Sequence, residues 1–150
     1  MSCSVPRVHL RPSEVNPFPR VSGIHYTGAM TDSATVSTWV TAYRKAWGTN
    51  ADADIRALFT DDGEYLFGPS EDPVRGIDAI VATWISRAEA PDDTTFRWDV
   101  LAIDGDLAFV QGKVDYTDGQ LFDNLWVIRL AANGKASSFT EWWMKRPGSK

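Results

Sequence analysis

Hydrophobic residues recur along this chain with two different periods, which predict helices in its first part and strands in its second. Apolar residues at helical spacing follow the N-cap residue Asp32 and predict a first helix that ends at Gly48. The same spacing predicts a short second helix over residues 52–59 and a third helix over residues 77–88. Between these two helices, Asp61-Asp62-Gly63 predicts a turn that leads into a short strand over residues 64–67. A proline-rich loop that ends at Gly76 is predicted between this strand and the third helix.

The second part of the chain consists of four longer segments in which apolar and polar residues alternate, as in half-buried strands. Asp-Gly or Asn-Gly dipeptides separate neighbouring segments, and these dipeptides are strong signals of tight turns between antiparallel strands. The four segments are residues 95–103, 107–116, 121–130 and 135–145. This order of elements predicts an α+β fold in which three N-terminal helices pack on an antiparallel sheet.

Residues 1–30 differ in composition from the rest of the chain. They contain four of the eight prolines, three arginines, a single acidic residue and no apolar periodicity. We therefore expect a flexible N-terminal extension, followed by one folded domain over residues 31–150. The alternative is an arm that docks on a partner.

The rare residue types exclude several kinds of chemistry. Residues 31–150 contain no His and no Cys, which excludes Ser-His or Cys-His nucleophilic catalysis and a zinc site with the usual ligands. We expect no metal and no cofactor, and any acid–base chemistry must use Asp, Glu, Tyr or Lys. Cys3 is the single cysteine, so no intramolecular disulfide forms, which fits a cytoplasmic protein.

The charge and hydropathy of the chain also exclude classes of partner. The net charge of −5 argues against nucleic acid or anionic lipid as a partner. No stretch approaches the roughly 18 consecutive apolar residues that a membrane-spanning helix needs. We therefore expect neither a nucleic-acid partner nor a membrane partner.

Alternation along the last two strands indicates which side chains share a face. In residues 121–130, Asn124 is the polar member of an apolar face that includes Phe122 and Trp126, so we expect this face to be buried. In residues 135–145 the two faces are Phe139, Glu141, Trp143 and Thr140, Trp142, Met144. The pattern alone does not choose between these two faces.

Several short motifs resemble the NTF2-like superfamily, and the last two strands resemble its SnoaL-like branch. The resemblance covers about residues 33–146 and implies a cone-shaped roll, with a curved sheet wrapped by helices around a ligand pocket. It also implies a homodimer, which we expect to form through the sheet. The motifs are Ala42-Tyr43, Leu58-Phe59-Thr60-Asp61-Asp62, Tyr65, Pro73-Val74-Arg75-Gly76, Ala79-Ile80, Trp84, Leu125-Trp126-Val127-Ile128-Arg129 and Phe139-Thr140-Glu141-Trp142-Trp143.

The resemblance also implies which residues face the pocket. It places Trp143, and with it Glu141 and Phe139, on the pocket face of the last strand, and it directs Tyr43, Tyr65 and Trp84 inward. Phe67 shares a face with Tyr65 because the two are separated by one position on a strand. The ketosteroid isomerase mechanism is not supported, since its base and its oxyanion-stabilising acid fall on the apolar residues Phe67 and Trp126.

Glu141 and Asn124 are the polar candidates on these faces. Burial among aromatic neighbours should raise the pKa of Glu141, which suits an acid or a base that works near neutral pH. The alternative is that Glu141 pairs with Arg129 or Arg75, or hydrogen-bonds to Tyr43 or Tyr65. Asn124 either orients a ligand carbonyl or satisfies a buried backbone group.

These residues lead to three functional hypotheses. The first is a cofactor-independent isomerase, dehydratase or epoxide hydrolase acting on a small apolar or amphipathic molecule. Glu141 would be its acid or base, while Asn124 with Tyr43 or Tyr65 would hold the oxygen where charge develops. In this hypothesis, the aromatic side chains of Phe67, Trp84, Trp126, Trp143 and Phe139 bind the ligand. The second hypothesis is a non-catalytic ligand-binding module with the same pocket, and the third is a protein–protein adaptor that uses the outer sheet face.

Overall fold

The computed structural model describes residues 30–88 and 94–150, which contain three helices and six strands. The extension expected over residues 1–30 lies outside these residues, apart from Met30. In chain order the elements are α1 (Ser33–Thr49), α2 (Asp52–Arg56), β1 (Phe59–Leu66), β2 (Val74–Arg75), α3 (Ile77–Ser86), β3 (Thr94–Asp104), β4 (Leu107–Tyr116), β5 (Leu121–Leu130) and β6 (Ala136–Lys145). The described residues include no helix that is long and apolar enough to cross a membrane.

Polar side chains and one unusual backbone conformation set the ends of α1. The Asp32 carboxylate accepts a hydrogen bond of 2.8 Å from the backbone N–H of Thr35 and caps the first turn. The helix continues past the predicted end at Gly48 and stops at Asn50, which adopts the left-handed conformation (φ 50°, ψ 25°). Asn tolerates this conformation better than most residues, and its backbone N–H still bonds to the carbonyl of Ala46.

The six strands form one sheet in the order β2-β1-β6-β5-β4-β3. Strands β3 to β6 make the predicted antiparallel meander, and the bounds of β4 and β5 match the prediction. The predicted antiparallel pairing also holds between β1 and β2, but it does not hold between β1 and β6, which pair in parallel. This pairing places β6 between β1 and β5 and brings the N-terminal and C-terminal parts of the domain together in one sheet. The other strand pairs are antiparallel, so the curved sheet is mostly antiparallel.

The first part of the sheet also differs from the prediction. The predicted second helix ends at Arg56, because Phe59 already pairs with Ala136 in the sheet. The segment Asp61-Asp62-Gly63, which we expected as a turn before the strand, lies inside β1 at a shift in its register with β6. A short strand, β2, forms in the predicted loop before α3. Two helices precede the first strand and the third follows it, in the predicted order.

The core lies between the sheet and the apolar stripe of α1. The buried residues Val36, Trp39 and Tyr43 of this stripe have the predicted helical spacing, and Tyr43 packs against Trp126 and Phe139. The buried indole N–H of Trp39 donates a 2.8 Å hydrogen bond to the carbonyl of Leu58. The core therefore fixes α1 against both the sheet and the segment that precedes β1.

Candidate functional site

A cavity of about 600 Å³ opens between the helices and the inner face of the sheet. Aromatic and polar side chains contribute to its wall in about equal measure, and they include inward-facing side chains that the sequence singled out on several elements. The rings that line it are those of Tyr43, Trp47, Tyr65, Phe67, Trp84, Tyr116, Phe122 and Trp143. Pockets for small molecules are concave and combine apolar surface with placed polar groups, so this cavity is a candidate binding site.

Three polar side chains in the cavity wall form a hydrogen-bonded chain. The Tyr65 hydroxyl donates to Glu141 Oε2 over 3.0 Å, and the Tyr43 and Tyr65 hydroxyl oxygens lie 3.0 Å apart. Since a phenol has one hydrogen and Tyr65 gives its own to Glu141, the Tyr43 hydroxyl donates to Tyr65. We call this arrangement the Tyr43–Tyr65–Glu141 chain.

The parallel pairing of β1 and β6 brings the members of this chain together. Tyr65 lies beside Phe139 in the register, and Glu141 is two positions further along β6, so it shares the inner face with Phe139. Tyr43 reaches the same point from the buried stripe of α1. The Tyr43–Tyr65–Glu141 chain is therefore built from α1 and β1 near the start of the domain and from β6 at its end.

Burial determines the protonation state of the two tyrosines. The pKa of Tyr43 and the pKa of Tyr65 both lie well above the usual 10.0, mainly because burial disfavours the phenolate and also because Glu141 is close. Both phenols therefore keep their protons at neutral pH. They act as hydrogen-bond donors to their neighbours in the chain and not as bases.

Asn124 contributes an amide to the same cavity from β5. The residue is 6% exposed, and its Oδ1 has no hydrogen-bond partner among the described residues. Asn124 pairs with Trp143 on β6, so Glu141 is its diagonal neighbour on the inner face. Diagonal neighbours on paired strands are about 7–8 Å apart at the backbone, so the amide and the carboxylate line the same part of the cavity.

Two contacts that the sequence did not indicate shape the mouth and one wall of the cavity. At the mouth, Arg87 forms a 3.0 Å ion pair with Glu71, and its guanidinium lies 4.6 Å from the centre of the Phe67 ring. In the wall, the Trp84 indole N–H donates a 2.9 Å hydrogen bond to Asn50 Oδ1. A helix-ending asparagine is a recognisable C-cap signal, whereas no local pattern indicates the pairing of Glu71 with Arg87.

The structure brings seven of the nine predicted site residues to the cavity. They are Tyr43, Tyr65, Phe67, Trp84, Asn124, Glu141 and Trp143. The other two, Trp126 and Phe139, were expected to contact the ligand, but they lie behind the cavity wall. They are 1% and 0% exposed, and they pack against Tyr43 in the core.

One of the alternatives given for Glu141 is present in the structure, since its carboxylate accepts the hydrogen bond from Tyr65. Arg129 forms an ion pair with Asp106 at 2.6 Å, and Arg75 forms one with Glu64 at 2.7 Å. In residues 30–88 and 94–150, no group of three or more His, Cys, Asp or Glu side chains is arranged to hold a metal ion.

The helices and the curved sheet have the NTF2-like fold, which structures described as NTF-2 like proteins share. A comparison with protein families identifies the family within this fold. A family model described as a SnoaL-like domain matches residues 40–144, so the chain belongs to the SnoaL-like family. A search of curated proteins gives no match.

Solved structures with the same fold include proteins with and without a stated activity. One is SalBIII, described as an epoxide hydrolase/cyclase-like enzyme in pyran ring formation in salinomycin (18% identity, TM-score 0.60, 75% of this chain and 93% of that chain). A second is a ketosteroid isomerase-like protein from Erwinia carotovora atroseptica (20% identity, TM-score 0.55, 75% and 96%). A third is an NTF-2 like protein of unknown function from Burkholderia xenovorans (15% identity, TM-score 0.59, 77% and 89%). At these identities the likeness shows the fold alone.

Proposed function

We propose that this protein is a cofactor-independent acid–base enzyme that acts on a small, largely apolar molecule held in the cavity. The observation that carries this proposal is the Tyr43–Tyr65–Glu141 chain, which holds one carboxylate in position in the cavity wall, beside aromatic side chains. A carboxylate in such surroundings is a suitable group to take a proton from a substrate and to return it.

The geometry supports different roles for the polar residues. Glu141 is the proposed proton carrier, and Tyr65 is a positioning residue because its hydroxyl holds the carboxylate. Tyr43 in turn orients the hydroxyl of Tyr65. Both phenol hydrogens are used within the Tyr43–Tyr65–Glu141 chain, so we do not propose that Tyr43 or Tyr65 stabilises a developing oxyanion. Asn124 is the side chain that we propose for that role.

The reaction types that fit this arrangement are isomerisation, dehydration and epoxide opening. In an isomerisation, Glu141 would take a proton from one position and deliver it to another, so the atoms balance without an oxidant or a cofactor. The similar structures include an isomerase-like protein and an epoxide hydrolase/cyclase-like protein, and these descriptions support the general reaction class. We further propose a cytoplasmic location, from the cysteine usage.

A non-catalytic ligand-binding module is the second candidate, because the aromatic side chains of the wall would bind an apolar molecule even without chemistry. In that case Glu141 would anchor a polar end of the ligand. The two candidates differ in whether a proton is exchanged between the ligand and solvent.

Solvent deuterium provides the test. Ketones, lactones, epoxides and terpenoids that raise the melting temperature of the protein would be incubated with it in D₂O and examined by mass spectrometry. Under the enzyme proposal, wild type incorporates deuterium or forms product, and Glu141→Gln binds the same ligands without either. Tyr65→Phe retains part of the activity because the carboxylate is still present. Ligands that bind without exchange or turnover would favour the binding module.

A further inference from the structure

The turn between β4 and β5 forms one rim of the cavity. Thr117, Asp118 and Gln120 in this turn are exposed and line the cavity. Within the turn, the Asp118 carboxylate accepts 2.9 Å hydrogen bonds from the backbone N–H and from the side-chain amide of Gln120. We call residues 117–120 the rim turn, since their arrangement sets part of the wall that a ligand contacts.

Residues that follow β6 fold back on the rim turn and add hydrogen bonds from outside the hairpin. The Ser149 hydroxyl accepts a 2.8 Å hydrogen bond from the backbone N–H of Leu121, which directly follows the turn. The backbone N–H of Lys150 donates to the carbonyl of Gly119, inside the turn, over 3.1 Å. We call residues 146–150 the 146–150 clasp.

The first residue of the 146–150 clasp fixes it to both strands of the hairpin. The Arg146 guanidinium forms ion pairs with Asp115 on β4 and with Asp123 on β5. The backbone N–H of Arg146 donates to the carbonyl of Leu121 over 2.9 Å. Both backbone polar groups of Leu121 are therefore bonded to the 146–150 clasp.

We propose that the 146–150 clasp keeps the rim turn in the shape that binds ligand, and that Ser149 is a positioning residue of the cavity. Exposed hairpin tips are ordinarily among the more mobile parts of a protein. The clasp bonds to Gly119 and to Leu121, so a ligand does not have to order the turn between them when it binds. This inference rests on the proposed function, because it concerns binding in the same cavity.

Two serine variants provide the test, because each removes one hydroxyl that bonds to the backbone. Ser149→Ala leaves the N–H of Leu121 without this partner. The matched control is Ser137→Ala, which removes a bond to the carbonyl of Arg129 on a part of the sheet that does not line the cavity. Ser149→Thr keeps a hydroxyl and is the rescue variant. The full chain would be titrated with prodan, a neutral fluorescent ketone on a naphthalene frame whose emission reports an apolar site.

We expect Ser149→Ala to weaken prodan binding about twofold to tenfold, which is the range for one neutral hydrogen bond. Ser137→Ala should bind prodan as wild type does, and Ser149→Thr should restore the affinity. The N–H of Leu121 should exchange with D₂O faster in Ser149→Ala by a similar factor, as measured by NMR. Urea unfolding provides the comparison with a purely structural role, which would lower the stability of a variant without separating the affinities of the two Ala variants.

The outcomes separate this inference from the function on which it rests. If Ser149→Ala binds prodan as wild type does, if both Ala variants weaken binding equally, or if Ser149→Thr restores nothing, the positioning role of Ser149 is wrong. A wild type that does not bind prodan would overturn it as well. The proton-carrier proposal for Glu141 fails separately, when ligands bind without deuterium exchange or turnover.

Discussion

Tyr65→Phe is the substitution that most directly tests the hydrogen-bonded chain. Tyr65 is 1% exposed, and its hydroxyl makes one bond to a neutral phenol and one to a carboxylate. A neutral hydrogen bond contributes about 1 kcal/mol, and a bond to a charged group contributes about 2 kcal/mol. We therefore expect Tyr65→Phe to lower the free energy of unfolding by roughly 3 kcal/mol.

Tyr43→Phe is the matched comparison, because it removes the neutral bond alone. We expect it to lower the free energy of unfolding by about 1 kcal/mol. In the double variant the Tyr43 bond is already lost with Tyr65, so the total should stay at roughly 3 kcal/mol instead of 4. The difference is a coupling energy of about 1 kcal/mol between the two sites.

Urea unfolding followed by tryptophan fluorescence measures these free energies. Equal slopes for wild type and the three variants would show that the same surface becomes exposed in each case. The Tyr43–Tyr65–Glu141 chain would be refuted if Tyr65→Phe lowered the free energy of unfolding no more than Tyr43→Phe does. Additive effects in the double variant would also contradict it.

Three further predictions concern pH, a helix end and the outer sheet face. Because the pKa values of Tyr43 and Tyr65 are raised on folding, their contribution to stability is complete below about pH 10 and is lost as the pH rises further. Phenolate absorbance should show two tyrosines ionising only on alkaline unfolding, and the double Phe variant should lack that step. Asn50→Ala should cost about 2 kcal/mol in urea unfolding, from backbone strain and the lost Trp84 bond, and Asn50→Gly about 1 kcal/mol. We propose a homodimer through the outer sheet face, where Trp142 is 43% exposed. Trp142→Lys should then sediment as a monomer with an unchanged circular dichroism spectrum and a melting temperature that no longer depends on protein concentration, and a monomeric wild type would contradict the proposal.

The sequence predicted the strands that have clean alternation and a turn signal at both ends. Strands β4 and β5 have the predicted bounds for this reason. Strand β1 does not have its predicted bounds, because the Asp61-Asp62-Gly63 segment interrupts the alternation. The sheet accommodates this segment through a shift in register. A local pattern does not report how a sheet absorbs such an interruption.

The candidate site was predictable as a set of residues but not as an arrangement. Periodicity and family resemblance indicated Tyr43, Tyr65 and Glu141 as site residues. Their hydrogen bonds, however, depend on a parallel pairing of two strands that are far apart in the sequence, and no turn signal predicts such a pairing. Alternation placed Trp126 on the inner face and the family resemblance placed Phe139 there, but neither carries information about depth below the cavity wall. Depth is set by how α1 packs on the sheet.

The central position of β6 has a consequence for how the protein is made. Chains leave the ribosome from the N-terminus, yet β1 pairs with β6, and Tyr65 precedes Glu141 by 76 positions. Until β6 has been synthesised, β1 and β5 both present an unpaired edge, which is a surface prone to aggregation. Nascent chains that are stalled before β6 should therefore depend on chaperones, and release of β6 would complete the sheet and the cavity wall in one event.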